Sequence, residues 1–261
     1  MLSKNQIKLI KSLESKKFRK REGLFVAEGP KVVGDLLRAG YQPHSIYATH
    51  QCSLFLATPH SQRENVQCST LNVQRSTVTE DELHRISFLQ HPQEVLAIFH
   101  IPTPPKSSNL HLPSDICLAL DGVQDPGNVG TIIRIADWFG ISHIFCSPDT
   151  ADIYNPKVVQ ATMGSLAHIT VTYCDLVPLL SKADVPIYGT LLDGQDIYQQ
   201  PLSREGIIVM GNEGNGISSE VRQLVTHKLL IPNFNKNSET AESLNVAIAT
   251  AITCSEFRRR F

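Results

Sequence analysis

"ICLALDGVQDPGNVGTIIRIADWFG", residues 116–140, decides the architecture. It opens on a continuous apolar run, Ile116 to Leu120, with no polar alternation. Such a run reads as a strand covered on both faces, as in parallel sheets flanked by helices. Asp125, Pro126 and Gly127 then make a tight turn. From Asn128 an apolar helical pattern continues to Phe139 and is ended by Gly140. Strand, turn and helix in this order form the building unit of an α/β fold.

The same unit recurs downstream. "HIFCS" is a strand, and "NPKVVQATMGSLA" is a helix with Asn155 as N-cap and Pro156 at its first position. "HITVTYC", "PIYGTLLD", "GIIVMGN" and "KLLIPN" read as further strands, and a last helix is expected from about Ser243 to Arg260. The result is a mainly parallel sheet, whose ligand crevice lies beyond the carboxyl ends of its strands. Upstream, "HIPTPPKSSNLHLPSD" (100–115) is rich in Pro, Ser and polar residues and reads as a linker. The expected division is 1–100, a linker over 101–115, and 116–261. The first part begins with a basic amphipathic helix over 3–17. "GLFVAEG", "SIYAT" and "EVLAIFH" are strands. "PKVVGDLLRAG" is a helix, and Thr79 and Glu82 form a capping-box spacing at the start of another. This is a small α/β domain.

Net charge is −1 over 261 residues, so overall charge points to no partner. Its distribution does. Between Met1 and Arg21, Lys4, Lys8, Lys11, Lys16, Lys17, Arg19, Lys20 and Arg21 face a single acid, Glu14, and the chain ends Arg258-Arg259-Arg260-Phe261. Clusters of this kind suit a polyanion, or a solvated helix face and tail. The six cysteines form no CxxC pair and several lie in apolar runs, which fits core residues of a reducing compartment. No apolar run reaches about 18 residues, and no metal-ligand spacing occurs, so a cytoplasmic protein without a metal is expected.

Three loops at strand ends carry the chemistry. In the first, Asn128 stands at a helix start and Arg134 is a lone cation on a largely apolar helix. Capping and a structural ion pair are the alternatives to a functional role. In the second, Gly211-Asn212-Glu213-Gly214-Asn215-Gly216 follows a buried strand. Its glycine order is not that of a dinucleotide fold, it lacks the Lys-Ser/Thr of a phosphate loop, and Glu213 stands where a phosphate would sit. A cationic or neutral ligand suits it better. In the third, Ser243 and Asn245 occupy the apolar entry to the last helix, with Ser243 the expected N-cap.

Together, "DPGNVGTIIRIADWFG", "VMGNEGNGIS" and "IP…ESLNVAIATAI" resemble the three motifs of the SpoU (TrmH-type) RNA ribose 2′-O-methyltransferases of the SPOUT superfamily. Residues 10–100, with "KKFRKREGLFVAEGPKVVGDLL", resemble a substrate-binding domain similar to a ribosomal-protein-like RNA-binding fold. The resemblance implies a C-terminal trefoil knot, S-adenosylmethionine as cofactor, and a homodimer. It places Asn128, Arg134, Glu213, Ser243 and Asn245 in the catalytic site. Thr190, Leu191, Gly211, Asn212, Gly216, Ile231 and Leu244 are placed around the cofactor. Lys16, Lys17, Arg19, Lys20 and Arg21 are expected to meet RNA. Arg134 is the family's proposed base, although a guanidinium stays charged and could instead clamp phosphate. The loop over 233–242 is longer than in many members, and Ala247 stands where serine is common.

The expected activity is methylation of a ribose 2′-hydroxyl in ribosomal RNA, with transfer RNA as the alternative substrate. A non-catalytic RNA-binding or ribosome-assembly factor is the reading from another class, and the retained polar residues argue against it. A dinucleotide-dependent enzyme is disfavoured by the glycine order.

Overall fold

The computed structural model describes residues 2–54, 74–103, 115–235 and 241–261. Cys68, most of the expected linker and part of the 233–242 loop lie outside them. The chain forms two compact units, Met1–Pro105 with Asp152–Ala167, and Lys106–Ala151 with His168–Phe261.

The first unit holds helices α1 (Lys4–Ser12), α2 (Lys16–Glu22), α3 (Pro30–Arg38) and α4 (Glu80–Ile86), and strands β1 (Leu24–Glu28), β2 (Pro43–Ala48), β3 (Gln74–Thr77) and β4 (Val95–His100). The strands form one sheet in the order β1-β4-β2-β3. β4 runs antiparallel to both neighbours, and β2 pairs parallel with β3. The capping box of Thr79 and Glu82 forms as expected. The single helix expected over 3–17 is two helices. The cause is Arg19, which is only 1% exposed. Its Nη1 donates to the carbonyls of Leu13 and Glu14 at 2.8 and 2.6 Å, holding the chain in the turn between α1 and α2.

The other side of the Arg19 guanidinium meets Asp152. Nε and Nη2 donate to Asp152 Oδ2 at 3.1 and 2.6 Å. Residues 152–167, expected in the second domain, therefore fold with the first unit. Helix α6 (Pro156–Ala161), capped by Asn155 as expected, packs on β1, and the Tyr154 ring lies 4.8 Å from that of Phe25. The helix is shorter than "NPKVVQATMGSLA" promised. Met163 and Gly164 take positive φ, and a 3-10 turn at Ser165–Ala167 follows.

The second unit carries β5 (Ile116–Asp121), α5 (Pro126–Trp138), β6 (His143–Cys146), β7 (Thr170–Tyr173), α7 (Leu176–Leu180), β8 (Ile187–Asp196), β9 (Gly206–Gly211), α8 (Ser219–Arg222), β10 (His227–Leu230) and α9 (Val246–Arg259). Its six strands lie in the order β10-β8-β9-β5-β6-β7. Every pairing is parallel. β5 is central and wholly buried. Side chains alternate across it. Cys117 and Ala119 join Ile207 and Val209 under Leu176, Leu180 and Val221 of α7 and α8. α9 packs beside α5 and touches β9, and Phe257 sets its ring edge-on to Tyr188 of β8.

The arginines closing the chain belong to this packing. Arg258 donates to Phe139 O at 2.8 Å and Gly140 O at 3.1 Å, closing the end of α5, and pairs with Asp115 at 3.2 Å. Arg259 and Arg260 both bind Glu256, which is 4% exposed. Arg260 also donates to the carbonyls of Ile197 and Tyr198. Hydrogen bonds from Arg259 lead in holding the Glu256 carboxyl down at about 2, against the opposing effect of burial. The C-terminal cluster is thus occupied internally and is not a free polyanion-binding tail.

Arg19 gives the first test. Asp152→Ala leaves a buried guanidinium without its carboxylate. Breaking a buried pair from one side costs about 3–5 kcal/mol. Urea denaturation of this variant is expected to show a loss on that scale, and a loss within about 0.5 kcal/mol, the size of an ordinary surface substitution, would show that the pair does not anchor residues 152–167.

Candidate active site

The chemistry-bearing loops leave one edge of the parallel sheet. Asp121 ends β5 directly opposite Gly211 at the end of β9, and β8 flanks β9 on the other side. Two features missed in the sequence root these loops. Asp121 Oδ2 accepts from Ser218 N at 2.7 Å, and Ser147 Oγ accepts from Gly122 N at 2.8 Å. An acid ending an apolar strand was the available signal for Asp121. Nothing local marked Ser147.

The glycine-rich loop is shaped by contact with itself. A Cβ at Gly211 would lie 2.3 Å from the backbone of Gly216 and Ile217, so any side chain there would force the loop open. Asn212 and Gly216 exchange two backbone hydrogen bonds of 2.9 Å. Asn212 Oδ1 accepts from the amides of Gly214 and Asn215, and its Nδ2 donates to Gly122 O at 2.7 Å. Its side chain thereby shapes the loop and ties it to the end of β5.

This holds Glu213 over the start of α5. Its carboxylate accepts from Gln124 N at 3.2 Å, Asp125 N at 3.1 Å and Asn128 Nδ2 at 2.9 Å. Partial burial pushes the carboxyl up, but the hydrogen bonds from Asn128 and the loop amides outweigh it and hold the group below the usual glutamate range. Asp125, not Asn128, caps α5, accepting from Asn128 N at 2.8 Å. Asn128 sits inside the first turn, which frees its side chain for Glu213.

The third loop joins the same chain of bonds. Asn245, not Ser243, caps α9. Its Oδ1 accepts from Ala247 N at 2.9 Å and Ile248 N at 3.3 Å, and its Nδ2 donates to Asn128 Oδ1 at 2.9 Å. Helix α9 therefore begins at Val246, later than expected, and Ser243 lies before it, exposed. Ser243 has no hydrogen bond to another described residue. Glu213, Asn128 and Asn245 thus connect all three loops.

β8 and the segment after β10 carry apolar side chains at the same edge of the parallel sheet. Between Gly189 and Gln195 of β8 the pairing with β10 advances by one residue only, from Lys228 to Leu229. Residues 190–194 bulge outward at this step. A Cβ at Gly194 would lie 2.5 Å from the Leu229 backbone. Thr190 Oγ1 donates to Val209 O at 3.4 Å and Leu191 packs against the core. Ile231 is half-buried, while Leu192, Phe234 and Leu244 are exposed. No lysine or arginine occurs in 190–196, 211–217, 231–235 or 241–245. That donor set fits a ligand with apolar parts and no phosphate.

Arg134 is not part of the network. Six helical residues separate it from Asn128, which turns it about 120° round the axis. It is exposed and has no ionic or hydrogen-bond partner among the described residues. Lys16, Lys17, Lys20 and Arg21 are exposed, whereas Arg19 is buried and fully engaged, so it drops out of any RNA-facing set. Among the described residues no group of three or more His, Cys, Asp or Glu could hold a metal ion. Burial pushes the Cys117 and Cys254 thiols up to about 12, which leaves them inert.

Residues 115–255 match the SpoU rRNA Methylase family. The chain belongs to that family. Residues 4–97 match the MRM3-like substrate binding domain. This SpoU-family chain is 31% identical over 255 residues to the 23S rRNA (guanosine(2553)-2′-O)-methyltransferase RlmP of Bacillus subtilis, covering 96% of this chain and 95% of that protein. Its fold resembles a TrmH-family protein of Porphyromonas gingivalis, with 42% identity, a TM-score of 0.82 and full coverage of both chains. It also resembles an AdoMet-bound rRNA methyltransferase of Sinorhizobium meliloti, with 31% identity, a TM-score of 0.84, and coverage of 100% of this chain and 96% of that one.

Asn128→Asp tests the network at nearly constant shape. It sets two carboxylates 2.9 Å apart, while an acid in a first helical turn is otherwise tolerated. Wild-type Glu213, held below 4.5, contributes stability above that pH and loses it as the pH falls below. In the variant one of the two carboxyls protonates above its usual value. A deficit of about 1 kcal/mol, moderated by solvent, is expected at neutral pH and should shrink on acidification. A deficit that is constant with pH would refute the coupling.

Proposed function

We propose that this chain transfers a methyl group from S-adenosylmethionine to a ribose 2′-hydroxyl of ribosomal RNA in the cytoplasm. The observation that carries the reading is the Glu213–Asn128–Asn245 network, which brings three separated loops to one edge of the sheet. Similarity along nearly the whole chain to RlmP supports ribosomal RNA over transfer RNA. The five described cysteines are free, and no described helix is long and apolar enough to cross a membrane. The unit containing residues 1–100 would bind the RNA through Lys16, Lys17, Lys20 and Arg21. The second unit, knotted at its C-terminal end as in the SPOUT superfamily, would hold the reaction.

Bound S-adenosylmethionine would supply an electrophilic methyl on a sulfonium. Thr190, Leu191, Gly211, Asn212, Gly216, Ile231 and Leu244 would surround it, contributing apolar walls and backbone groups. The network fixes the walls relative to one another, so that the ribose oxygen meets the methyl in line. Ser243, exposed beside Asn245, is available to the incoming ribose. A hydroxyl is a weak nucleophile at neutral pH. Arg134 would clamp the adjoining phosphate and stabilise the oxygen as it loses its proton.

Arg134 is exposed and takes no part in the network of its own chain, which supports action across a homodimer. The exposed side of α5 and α9 offers the surface for it. Trp138 near the end of α5 is 85% exposed and Ile248 near the start of α9 is 52% exposed, with Ala251 and Ile252 of α9 half-buried. A second copy laid on this face would cover apolar surface and carry Arg134 to the partner's site. Ile248→Asp is expected to give monomers by light scattering. An unchanged dimer would remove this interface.

The activity is tested by transfer of labelled methyl from the cofactor to unmodified ribosomal RNA, with transfer RNA in parallel. Arg134→Lys and Arg134→Ala should bind S-adenosylmethionine normally and lose transfer by about 10² or more. Near-normal turnover by Arg134→Ala would sink its catalytic assignment. Cofactor binding without transfer to any RNA would favour a non-catalytic RNA-binding role.

A further inference from the structure

The first unit contains a cavity of about 250 Å³ lined by Val26, Glu28, Phe88, Leu89, Pro156, Lys157, Gln160 and Ala161. Its volume lies below the roughly 300–1,000 Å³ of drug-sized sites, so it suits a single ring system. Most of the wall is apolar, with one aromatic ring. The exception is Glu28, the last residue of β1, which is 6% exposed and has no ion-pair partner among the described residues. The charge of Lys11, whose Nζ donates to Ser87 O at 2.7 Å, offsets only part of the cost of burying this carboxylate.

The surroundings set that carboxylate as an acceptor. Phe88 N donates to Glu28 Oε1 at 2.8 Å, and Ser87 Oγ donates to Oε2. Leu89 N donates to Ser87 Oγ at 2.9 Å, which directs the Ser87 proton towards Glu28. Each carboxylate oxygen accepts one bond here and has capacity for another. Lys157 is exposed and Gln160 half-buried on the same wall, and neither side chain has a partner among the described residues. The cavity thus offers flat apolar surface, a fixed two-oxygen acceptor, an amide and a cation.

We propose that this cavity receives one unstacked guanine base of the RNA substrate, at a nucleotide other than the one methylated. The inference rests on the RNA reading above. RNA is read in sequence mainly through splayed bases that stack on aromatic rings and bond through their exposed edges. Guanine alone presents two adjacent donors, N1–H and the N2 amino group, to match the two Glu28 oxygens. Gln160 carries a donor for O6, and Lys157 meets the nucleotide's phosphate. Adenine and cytosine each offer a single amino donor beside an acceptor, which would face the carboxylate lone pairs, and uracil offers one N–H between two acceptors.

The full-length protein is titrated with guanosine, adenosine, cytidine and uridine 5′-monophosphates, with amide chemical shifts as the readout. Guanosine monophosphate should bind in the millimolar range and shift the Phe88 and Leu89 amides, and the other three should bind at least about tenfold more weakly. Glu28→Gln should remove that preference. Ala161→Met, which fills the cavity from α6 and leaves the Glu28 and Ser87 side chains unaltered, should abolish guanosine monophosphate binding and leave S-adenosylmethionine binding unchanged. Lys157→Ala should weaken the nucleotide but not guanosine. Equal binding of all four nucleotides, no binding of any, or full binding by Ala161→Met would overturn the proposal. Methyl transfer that persists without guanine selectivity sinks the pocket alone. Guanine binding at this cavity in a protein that methylates no RNA sinks the proposed activity alone.

Discussion

Asn245 can satisfy a helix end in only one orientation, and the site follows from that restriction. Its carbonyl oxygen must face the amides of Ala247 and Ile248. Its amino group then faces the opposite way, onto the Asn128 carbonyl. Asn128 is in turn obliged to aim its own amino group at Glu213. One cap therefore fixes the direction of two planar amides and one carboxylate across three loops. Each neutral bond contributes about 1 kcal/mol and the charged one somewhat more, and members of such a chain polarise one another. The second hydrogen of each amino group is left for a ligand.

The parallel sheet could be read directly from the sequence because its central strands, β5 and β9, are almost wholly apolar. Ile116–Asp121 and Gly206–Gly211 are buried almost throughout, and short apolar runs between turn residues have few other solutions. β3 is not legible in the sequence because Gln74–Thr77 is polar and mostly exposed, held by pairing with β2 and not by burial. The start of α9 is ambiguous in the sequence for a similar reason. Ser243 and Asn245 are both good caps, and only the position of Asn128 in space selects between them.

Charge misled more than hydrophobicity did. Arg19 and Arg258–Arg260 look like solvated cations in sequence, yet each spends its donors on carbonyls and carboxylates of its own chain. A guanidinium suits this use because five donors in a fixed plane can close several carbonyls together. Lysines of α2 cannot do so, and they stay in solvent. The identity of a basic residue, arginine or lysine, was the available hint.

The excursion of residues 152–167 makes the first unit discontinuous in the gene. The chain enters that unit at the N-terminus, leaves it after residue 105, re-enters at 152 and leaves again at 167. A fragment cut at the apparent linker would lack Asp152, Tyr154 and α6, stripping the cover from β1 and stranding the Arg19 guanidinium. The substrate-binding half therefore cannot be exchanged between relatives as a cassette. Any recombination that replaces residues 1–100 must carry residues 152–167 with it, and the two segments are bound to drift as one.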